Sequence, residues 1–522
     1  MNSRHAFRGC LVLLLLSLSG LLFVGPRVVR ADEASRDGFK QIFNGRDLNG
    51  WDGDPKFWSV EDDAITGRTT KKNPTKKNTF IVWRHGVLDD FELTLQYRIV
   101  GGNSGIQYRS FENEEKWGRW VVGGYQADLE AGDTYSGILY GERDRGILAK
   151  RGEKTVIHSD HKPEVIGEVG NSDEIQSHIK QEDWNDYHVI ASGYHMIHKI
   201  NGHVTADVTD EDLSMRKRSG ILALQLHAGP PMTVQFRNIR LKRLKLPVKK
   251  KIVMIAGTKS HGYGAHEFNA GCRLLQSCLD NSMPTILTTV YSKGWPQDPT
   301  AFDNADAVLL YMNGGKKHPA SARLGKLDQL MRRGVGLGAL HYAVEVEKGA
   351  AGYYFLKWLG GYFEVFWSVN PHWVLSKTTL AEGHPITQGV QPFEIMDEWY
   401  FNMRFRDQMA GVVPILSATP PDEARVGRGE GARSGNPHVT AGKGQSEVLA
   451  WATERSDGGR GFGFTGGHDH WNWANDDFRT LILNACVWLT GAEVPAEGVP
   501  SRRPTQTELE ANQDYPKPSE AK

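Results

Sequence analysis

From about residue 39 to residue 244, hydrophobic and polar residues alternate with a period of two, and no stretch sustains the 3.6-residue spacing of a helix. In ELTLQYRI, Leu93, Leu95, Tyr97 and Ile99 alternate with Glu92, Thr94, Gln96 and Arg98, as in a strand with one buried and one solvated face. Asn201-Gly202, set between two such runs, is a hairpin signal because both residues tolerate the positive φ a tight turn demands. Many short strands punctuated by Gly and Asn predict a β-sandwich over residues 37–246.

KLPVKK, at 245–250, has a proline and basic residues but no apolar pattern, which predicts a linker centred on 247–250. Beyond it the rhythm changes. Strand-like runs (KIVMIAG, TILTTVY, DAVLLYMN, GVGLGALHY) alternate with helix-like ones (EFNAGCRLLQSCLD, ASARLGKLDQLMRR, DDFRTLILNACVWLTG), so residues 251–495 read as an α/β domain with helices on both faces of a parallel sheet. Residues 496–522, rich in Pro, Glu, Gln and Lys without periodicity, are expected to be a disordered tail.

Composition sharpens this picture in three ways. A chain of 522 residues exceeds what one hydrophobic core organises, so a modular protein is expected. With 62 basic and 62 acidic residues spread along the chain there is no basic stripe, which argues against nucleic acid as a partner. Residues 1–31 carry Arg4, His5 and Arg8, then an apolar run from Leu11 to Val24, then Val29-Arg30-Ala31, the layout of a secretory signal peptide. The expectation is a secreted or periplasmic protein with no membrane span once the signal is removed. Cys272, Cys278 and Cys486 remain after that removal, an odd number with no Cys-x-x-Cys pair, so neither a disulfide framework nor a thiolate zinc site is indicated.

Chemistry-bearing residues fall on the polar faces of three predicted strands. In GGYQADLE, Gln126, Asp128 and Glu130 oppose Tyr125, Ala127 and Leu129. In GILALQLHAG, Gln225 and His227 oppose the row Leu222, Leu224, Leu226. In NSGIQYR, Gln107 and Arg109 alternate with Ile106 and Tyr108, just after Asn103 and Ser104. A solvated sheet face is ordinarily filled with Lys, Glu, Thr and Ser. Amides, Arg and His beside aromatics are instead what sugar hydroxyls and carbonyls require, and Trp51, Trp58, Trp83, Trp117 and Trp120 offer flat faces that could stack on a pyranose.

In the second domain, TKSHGYGAHEFNAG (258–271) follows a strand, where open α/β sheets place their ligand crevice. In this turn the dinucleotide fingerprint Gly-x-Gly-x-x-Gly is not met, because Gly262 and Gly264 are followed by His266 and Glu267, and no Gly-Lys-Ser/Thr follows, which argues against a nucleotide. His341 follows GVGLGAL, Asp397 and Glu398 lie in IMDEWYF, and His468 and His470 follow GFGFTGG. Each could meet His261, His266 and Glu267 at the crevice mouth, forming a set able to bind a divalent metal or to hold a sugar by hydrogen bonds. No cofactor is otherwise indicated.

FNGRDLNGW (43–51), FWSVEDDAITG (57–67), DFELTLQYRI (90–99), NSGIQYR (103–109), GYQADL (124–129), WNDYHVIASG (184–193), NGHVTADV (201–208), LALQLH (222–227) and VQFRNIRLKRL (234–244) resemble the successive motifs of the 3-keto-disaccharide hydrolase domain family, whose fold is similar to concanavalin-type jelly rolls. The family more often reads Tyr-Glu-x-Gln where this chain has Tyr125-Gln126-Ala127-Asp128. The resemblance implies cleavage of a 3-keto-glycoside: the ketone at C3 acidifies the C2 proton, a base removes it, the C1 substituent leaves by elimination, and water adds back. In that scheme Asp128 or His227 would be the base, and Arg109 with Gln225 would stabilise the enolate oxygen. Asn103, Ser104, Gln107, Gln126, Trp117 and Trp120 would bind the sugar, and a partner sugar 3-dehydrogenase could supply the ketone.

SHGYGAHEFNAGCRLL (260–275), GVGLGALHYA (334–343), LGGYFE (359–364), HPITQGV with MDEWYF (384–401) and GGHDHWNW through GAEVP (466–495) resemble the ThuA-like, trehalose-utilisation family. The fold implied is that of the class I glutamine amidotransferases, flavodoxin-like in its layers. Where an amidotransferase carries its cysteine nucleophile this chain reads GLGALHYAV, with His341 and neither cysteine nor serine, so acyl transfer is not expected. Together the two resemblances imply an exported carbohydrate-active enzyme. The alternative is a carbohydrate-binding module fused to a ThuA-like domain whose activity is left open or is metal-dependent.

Overall fold

The computed structural model describes residues 37–426 and 436–518; the signal-peptide expectation and the last four residues lie outside them. No helix among the described residues is long and apolar enough to cross a membrane.

Residues 40–243 form two facing antiparallel sheets, with a single parallel pairing between Glu153–Ile157 and His203–Asp210. The seven-stranded sheet runs Gly146–Ala149, Leu139–Glu142, Val122–Glu130, Asn103–Glu112, Gly220–Leu226, Thr79–Leu88, Trp51–Asp52. The ten-stranded sheet is centred on Phe91–Val100, between Asn185–Ser192 and Thr233–Arg243. Alternation is realised as read: along Phe91–Val100, every second residue from Phe91 to Ile99 is buried. Leu93, Leu95, Tyr97, Ile106, Ala127, Leu129, Leu222 and Leu224 from the two sheets share one core, which is how a sandwich buries its inner faces. Asn201 and Gly202 turn the hairpin between His195–Ile200 and His203–Asp210, with φ of +49° and +86°.

The α/β domain is built on an eight-stranded mixed sheet. Ile286–Tyr291, Lys250–Ala256, Ala307–Tyr311, Gly336–Leu340 and Arg460–Phe464 are parallel, and Glu447–Glu454, Val412–Ala418 and Thr379–Leu380 continue the sheet antiparallel. The purely parallel expectation therefore holds for five strands, and a meander extends the sheet at one edge. Alternate residues of Lys250–Ala256 enter opposite cores, Ile252 and Met254 on one side, Val253 and Ile255 on the other, so both faces are covered. Phe268–Ser282 and Asp476–Leu489 cover the first, and Leu324–Met331 and Ala350–Leu359 the second.

Two expectations are corrected. Residues 499–518 are ordered against the α/β domain: Val499 and Leu509 are buried, Thr505 and Glu508 form a capping box for the helix Gln506–Glu510, and Glu267 accepts a hydrogen bond from the Asp514 amide at 2.7 Å. Two apolar anchors and a capped turn suffice where composition alone suggested disorder. The linker is also too short to separate independent modules: Lys250 already begins a strand, and the described residues from Lys40 onward form one compact unit.

Candidate functional sites

The strand Val122–Glu130 carries Gln126 and Asp128 on the face away from the sandwich core, and Asn103–Glu112 places Gln107 directly opposite Gln126. A chain of hydrogen bonds runs along this face. Ser110 Oγ donates to Gln107 Oε1 at 2.7 Å, Gln107 Nε2 to Gln126 Oε1 at 2.6 Å, and Gln126 Nε2 to Asp128 Oδ1 at 3.0 Å. Gly105 makes this possible, because a Cβ there would lie 2.4 Å from Gln126 Cδ. Asn103 also hydrogen-bonds Asp128. Gln107 and Gln126 are buried, not solvated as a plain outer face would be, and Asp128 is only 5 % exposed. Burial pushes its carboxyl up to about 8, helped by the charges of Glu130 and Glu142 and opposed by the bonds from Gln126 and Asn103.

Glu142, from the neighbouring strand, completes the group. It is reached by Gln225 Nε2 at 3.4 Å and Asn78 Nδ2 at 3.5 Å, and burial raises its carboxyl too. His227 lies within electrostatic reach of Glu142, and its Nδ1 faces the Ala228 carbonyl at 2.6 Å. That contact assigns the proton to Nδ1 and leaves Nε2 as the basic nitrogen. Gln225 Oε1 is buried without a partner among the described residues.

Several expected members are elsewhere. Arg109 sits within a register shift in its strand, with φ +47°, and its guanidinium binds the Asp89 and Gly193 carbonyls and the Asp90 carboxylate, all within 2.8 Å. It is a buried structural ion pair, because the bulge broke the alternation that would have aligned it with Gln107. Ser104 points to the inner face and donates to the Gln225 carbonyl at 2.6 Å. Trp51, Trp58 and Trp83 belong to the core and cannot stack on a sugar. Trp120 donates to Asp52 with Arg119 over its ring, while Trp117 lies half-buried against Gly123, near the Glu142 backbone. Glu142, Asn78 and Tyr140, whose hydroxyl feels the charges of Glu142 and Asp128, were missed, although in LYGE the same period of two puts Tyr140 and Glu142 opposite buried Leu139.

In the second domain the strand ends converge. His266, His341, Glu398 and His468 bring one potential ligand atom each to within 4.8 Å of one another. His266 Nε2 is 3.0 Å from both His341 Nε2 and His468 Nδ1, and Glu398 Oε2 is 3.4 Å from His341 Nε2 and 3.2 Å from His468 Nδ1. Burial opposes charge on Glu398, but its bonds to His341 and His468 outweigh this and hold the carboxyl below its usual range. Burial likewise opposes the His468 imidazolium, and Glu398 overcomes it, whereas burial and three neighbouring imidazoles push His266 well below its ordinary value. His266 and His341 both adopt left-handed backbone, φ +54° and +50°, a strain that accumulates at functional positions.

Around this set the remaining candidates act as supports. Asp397 accepts hydrogen bonds from the amides of Gly467 (2.7 Å), His468 (3.0 Å) and Asp469 (3.2 Å), fixing the loop that carries His468. Glu267 turns away to hold Gly264 and the C-terminal segment. His470 is buried against the Leu509 carbonyl, and His261 is exposed, its ring centroid 3.7 Å from that of His266. Tyr400, missed in the sequence, places its hydroxyl 3.1 Å from His341 Nε2.

Fold and sites define a two-part protein, a β-sandwich with a buried amide-carboxylate face joined to an α/β domain with a histidine-rich crevice. Residues 38–242 match the family model of the 3-keto-alpha-glucoside-1,2-lyase-like domain, and residues 252–489 match that of the trehalose-utilisation (ThuA) family. The chain joins a member of the first family to a member of the second. No curated protein matches it. Among solved structures, a candidate glycosyl hydrolase from Parabacteroides distasonis is 22 % identical, covering 42 % of this chain and 99 % of that one, with a TM-score of 0.29. A ThuA-like protein from Bacteroides uniformis is 17 % identical, covering 48 % of this chain and 94 % of its own, TM-score 0.35. The carbohydrate-binding module CBM66 from Bacillus subtilis is 16 % identical over 37 % of this chain and 95 % of its own, TM-score 0.25.

Proposed function

We propose that this is an exported carbohydrate-active enzyme whose sandwich cleaves 3-keto-glycosides by elimination. The observation that carries the reading is Asp128, a nearly buried carboxyl that holds its proton to about pH 8 at the end of an oriented amide chain. The family to which residues 38–242 belong supports the substrate class.

The chemistry needs a base at C2, hydrogen-bond donors for the oxygen at C3, and an acid for the leaving oxygen at C1. His227 Nε2 takes the C2 proton, the C2–H electrons form the C1=C2 bond, and the C1–O bond breaks with its electrons leaving on the glycosidic oxygen. Asp128 supplies that oxygen with a proton. The Gln225 amide serves the C3 oxygen. Water then adds across the double bond, its hydroxyl to C1 and a proton to C2, and the net change is hydrolysis. Two opposed carboxylates flanking an oxocarbenium ion are not required, unlike in ordinary glycosidases. Arg109 takes no part, since its charge is spent on Asp90.

The test is release of glucose from 3-keto-trehalose compared with trehalose. Asp128→Asn is expected to lose about 100-fold or more in turnover while remaining folded, as for removal of a general acid. Equal activity of Asp128→Asn and the unmodified protein would refute this role, and cleavage of trehalose at the same rate as its 3-keto form would refute the substrate class.

A further inference from the structure

The crevice of the α/β domain contains a convergence that hydrogen bonding explains only in part, although the Tyr400 hydroxyl reaches His341 Nε2 at 3.1 Å. His341 Nδ1 lies 2.8 Å from the Thr465 carbonyl, so its proton is there and Nε2 presents a lone pair. That lone pair faces His266 Nε2 at 3.0 Å, while His266 Nε2 also faces His468 Nδ1 at 3.0 Å and can donate to only one of them. The other nitrogen of His266 is buried without a partner among the described residues. Glu398 adds a carboxylate oxygen between His341 and His468.

A cation satisfies all four at once. Ligands about 2.0–2.2 Å from a common ion lie about 2.8–3.6 Å apart at octahedral or tetrahedral angles and about 4.0–4.4 Å apart when opposite; four of the six ligand pairs here span 3.0 to 3.4 Å, and all six lie within 4.8 Å. The supporting shell is that of a metal centre as well. Thr465 fixes the His341 tautomer, Asn370 Nδ2 holds Glu398 Oε1 at 2.9 Å, and Asp397 ties down the His468 loop.

We propose that His266, His341, Glu398 and His468 bind one divalent transition-metal ion, and that the adjoining pocket admits an oxygen-chelating sugar derivative to it. Three imidazoles and one carboxylate suit Zn²⁺, Co²⁺, Mn²⁺ or Fe²⁺ over Mg²⁺ or Ca²⁺, which favour all-oxygen shells. The pocket, about 720 Å³, is bounded on this side by His261 and Tyr342, whose rings lie against His266 at 3.7 and 5.3 Å. Lys259, Lys316, Lys317 and Lys348 line it and outnumber Glu345 and Glu347, so a hydroxyl beside a carboxylate or carbonyl is the chelating group expected. The proposal does not depend on the sandwich chemistry.

The experiment is calorimetric titration of the metal-stripped full-length protein with Zn²⁺ and with Co²⁺, followed by visible spectroscopy of the Co²⁺ form. One equivalent is expected to bind, to raise the melting temperature, and to give Co²⁺ bands that shift when gluconate is added. His341→Ala and Glu398→Gln are each expected to weaken binding by about 100-fold or more, and Asp128→Asn to leave it unchanged, which separates this site from the sandwich. Failure of the unmodified protein to bind one equivalent, a requirement that survives even if the variants misfold, overturns the metal site. So does equal affinity in both variants, and Co²⁺ bands indifferent to gluconate overturn the ligand class.

Discussion

At the scale of single residues, the sandwich site turns on which groups hold protons. A carboxyl pushed up to about 8 is neutral at physiological pH, so Asp128 donates where an ordinary aspartate would accept. For a required acid, kcat/KM is expected to be flat below pH 8 on this limb and to fall as pH rises through it. Gln126 bonds the carboxylate and thereby favours its charged form. Removing that bond in Gln126→Ala should therefore move the alkaline limb to higher pH, with turnover reduced by about tenfold, less than in Asp128→Asn. A limb that stays in place when Gln126 is replaced would show that another group titrates there. The exchange of amide and carboxylate between positions 126 and 128, relative to the family's more frequent Tyr-Glu-x-Gln, keeps both groups on one sheet face because the side-chain period of a strand is two.

At the scale of elements, what could be read in the chain and what could not divides along regular and irregular backbone. Alternation placed Gln107, Gln126, Asp128 and Gln225 on one face, and strand-to-helix turns gathered His266, His341 and His468, since in a parallel sheet the carboxyl ends all open on one side. Arg109 was misplaced because a bulge between Tyr108 and Phe111 resets the alternation, and nothing local in NSGIQYRSF announces it. Glu267 was misassigned because the turn, not the helix, fixes its direction: both carboxylate oxygens serve backbone amides. The same reasoning gives Asp397 a measurable role. It is fully buried and accepts three amide hydrogens of the His468 loop, so Asp397→Ala leaves those donors unpaired and is expected to cost about 3 kcal/mol in chemical denaturation. A loss within about 0.5 kcal/mol, typical of a surface change, would mean the loop is held by other contacts.

At the scale of the whole molecule, the two halves are fastened by buried charge. Asp89, in the turn before the strand Phe91–Val100, meets Arg243 at 3.0 Å and the ammonium of Lys251, and Arg243 also meets Asp298 at 2.8 Å. Asn304 donates to the Leu244 carbonyl, and Lys40 reaches Asp303 at 2.7 Å. Burial works against the charge on Lys251 as well as on Asp89, but Arg243 cannot release its proton, so the carboxylate is the form held, well below the usual carboxylate range. A carboxyl depressed on folding contributes stability that is fully present above its unfolded value of about 3.9 and is lost as pH falls toward the folded one. The junction should therefore fail in acid and stay intact at neutral pH. Asp89→Ala leaves the buried Lys251 without its carboxylate and Arg243 with Asp298 alone, and is expected to cost about 3–5 kcal/mol. Since the sandwich and the α/β sheet have separate hydrophobic cores, the loss should fall on their coupling. Calorimetry of the unmodified protein at neutral pH is expected to give one transition and Asp89→Ala two, the unmodified protein separating into the same two as pH drops below about 4. A single transition in Asp89→Ala at neutral pH would mean that apolar contact, not this ion cluster, joins the halves.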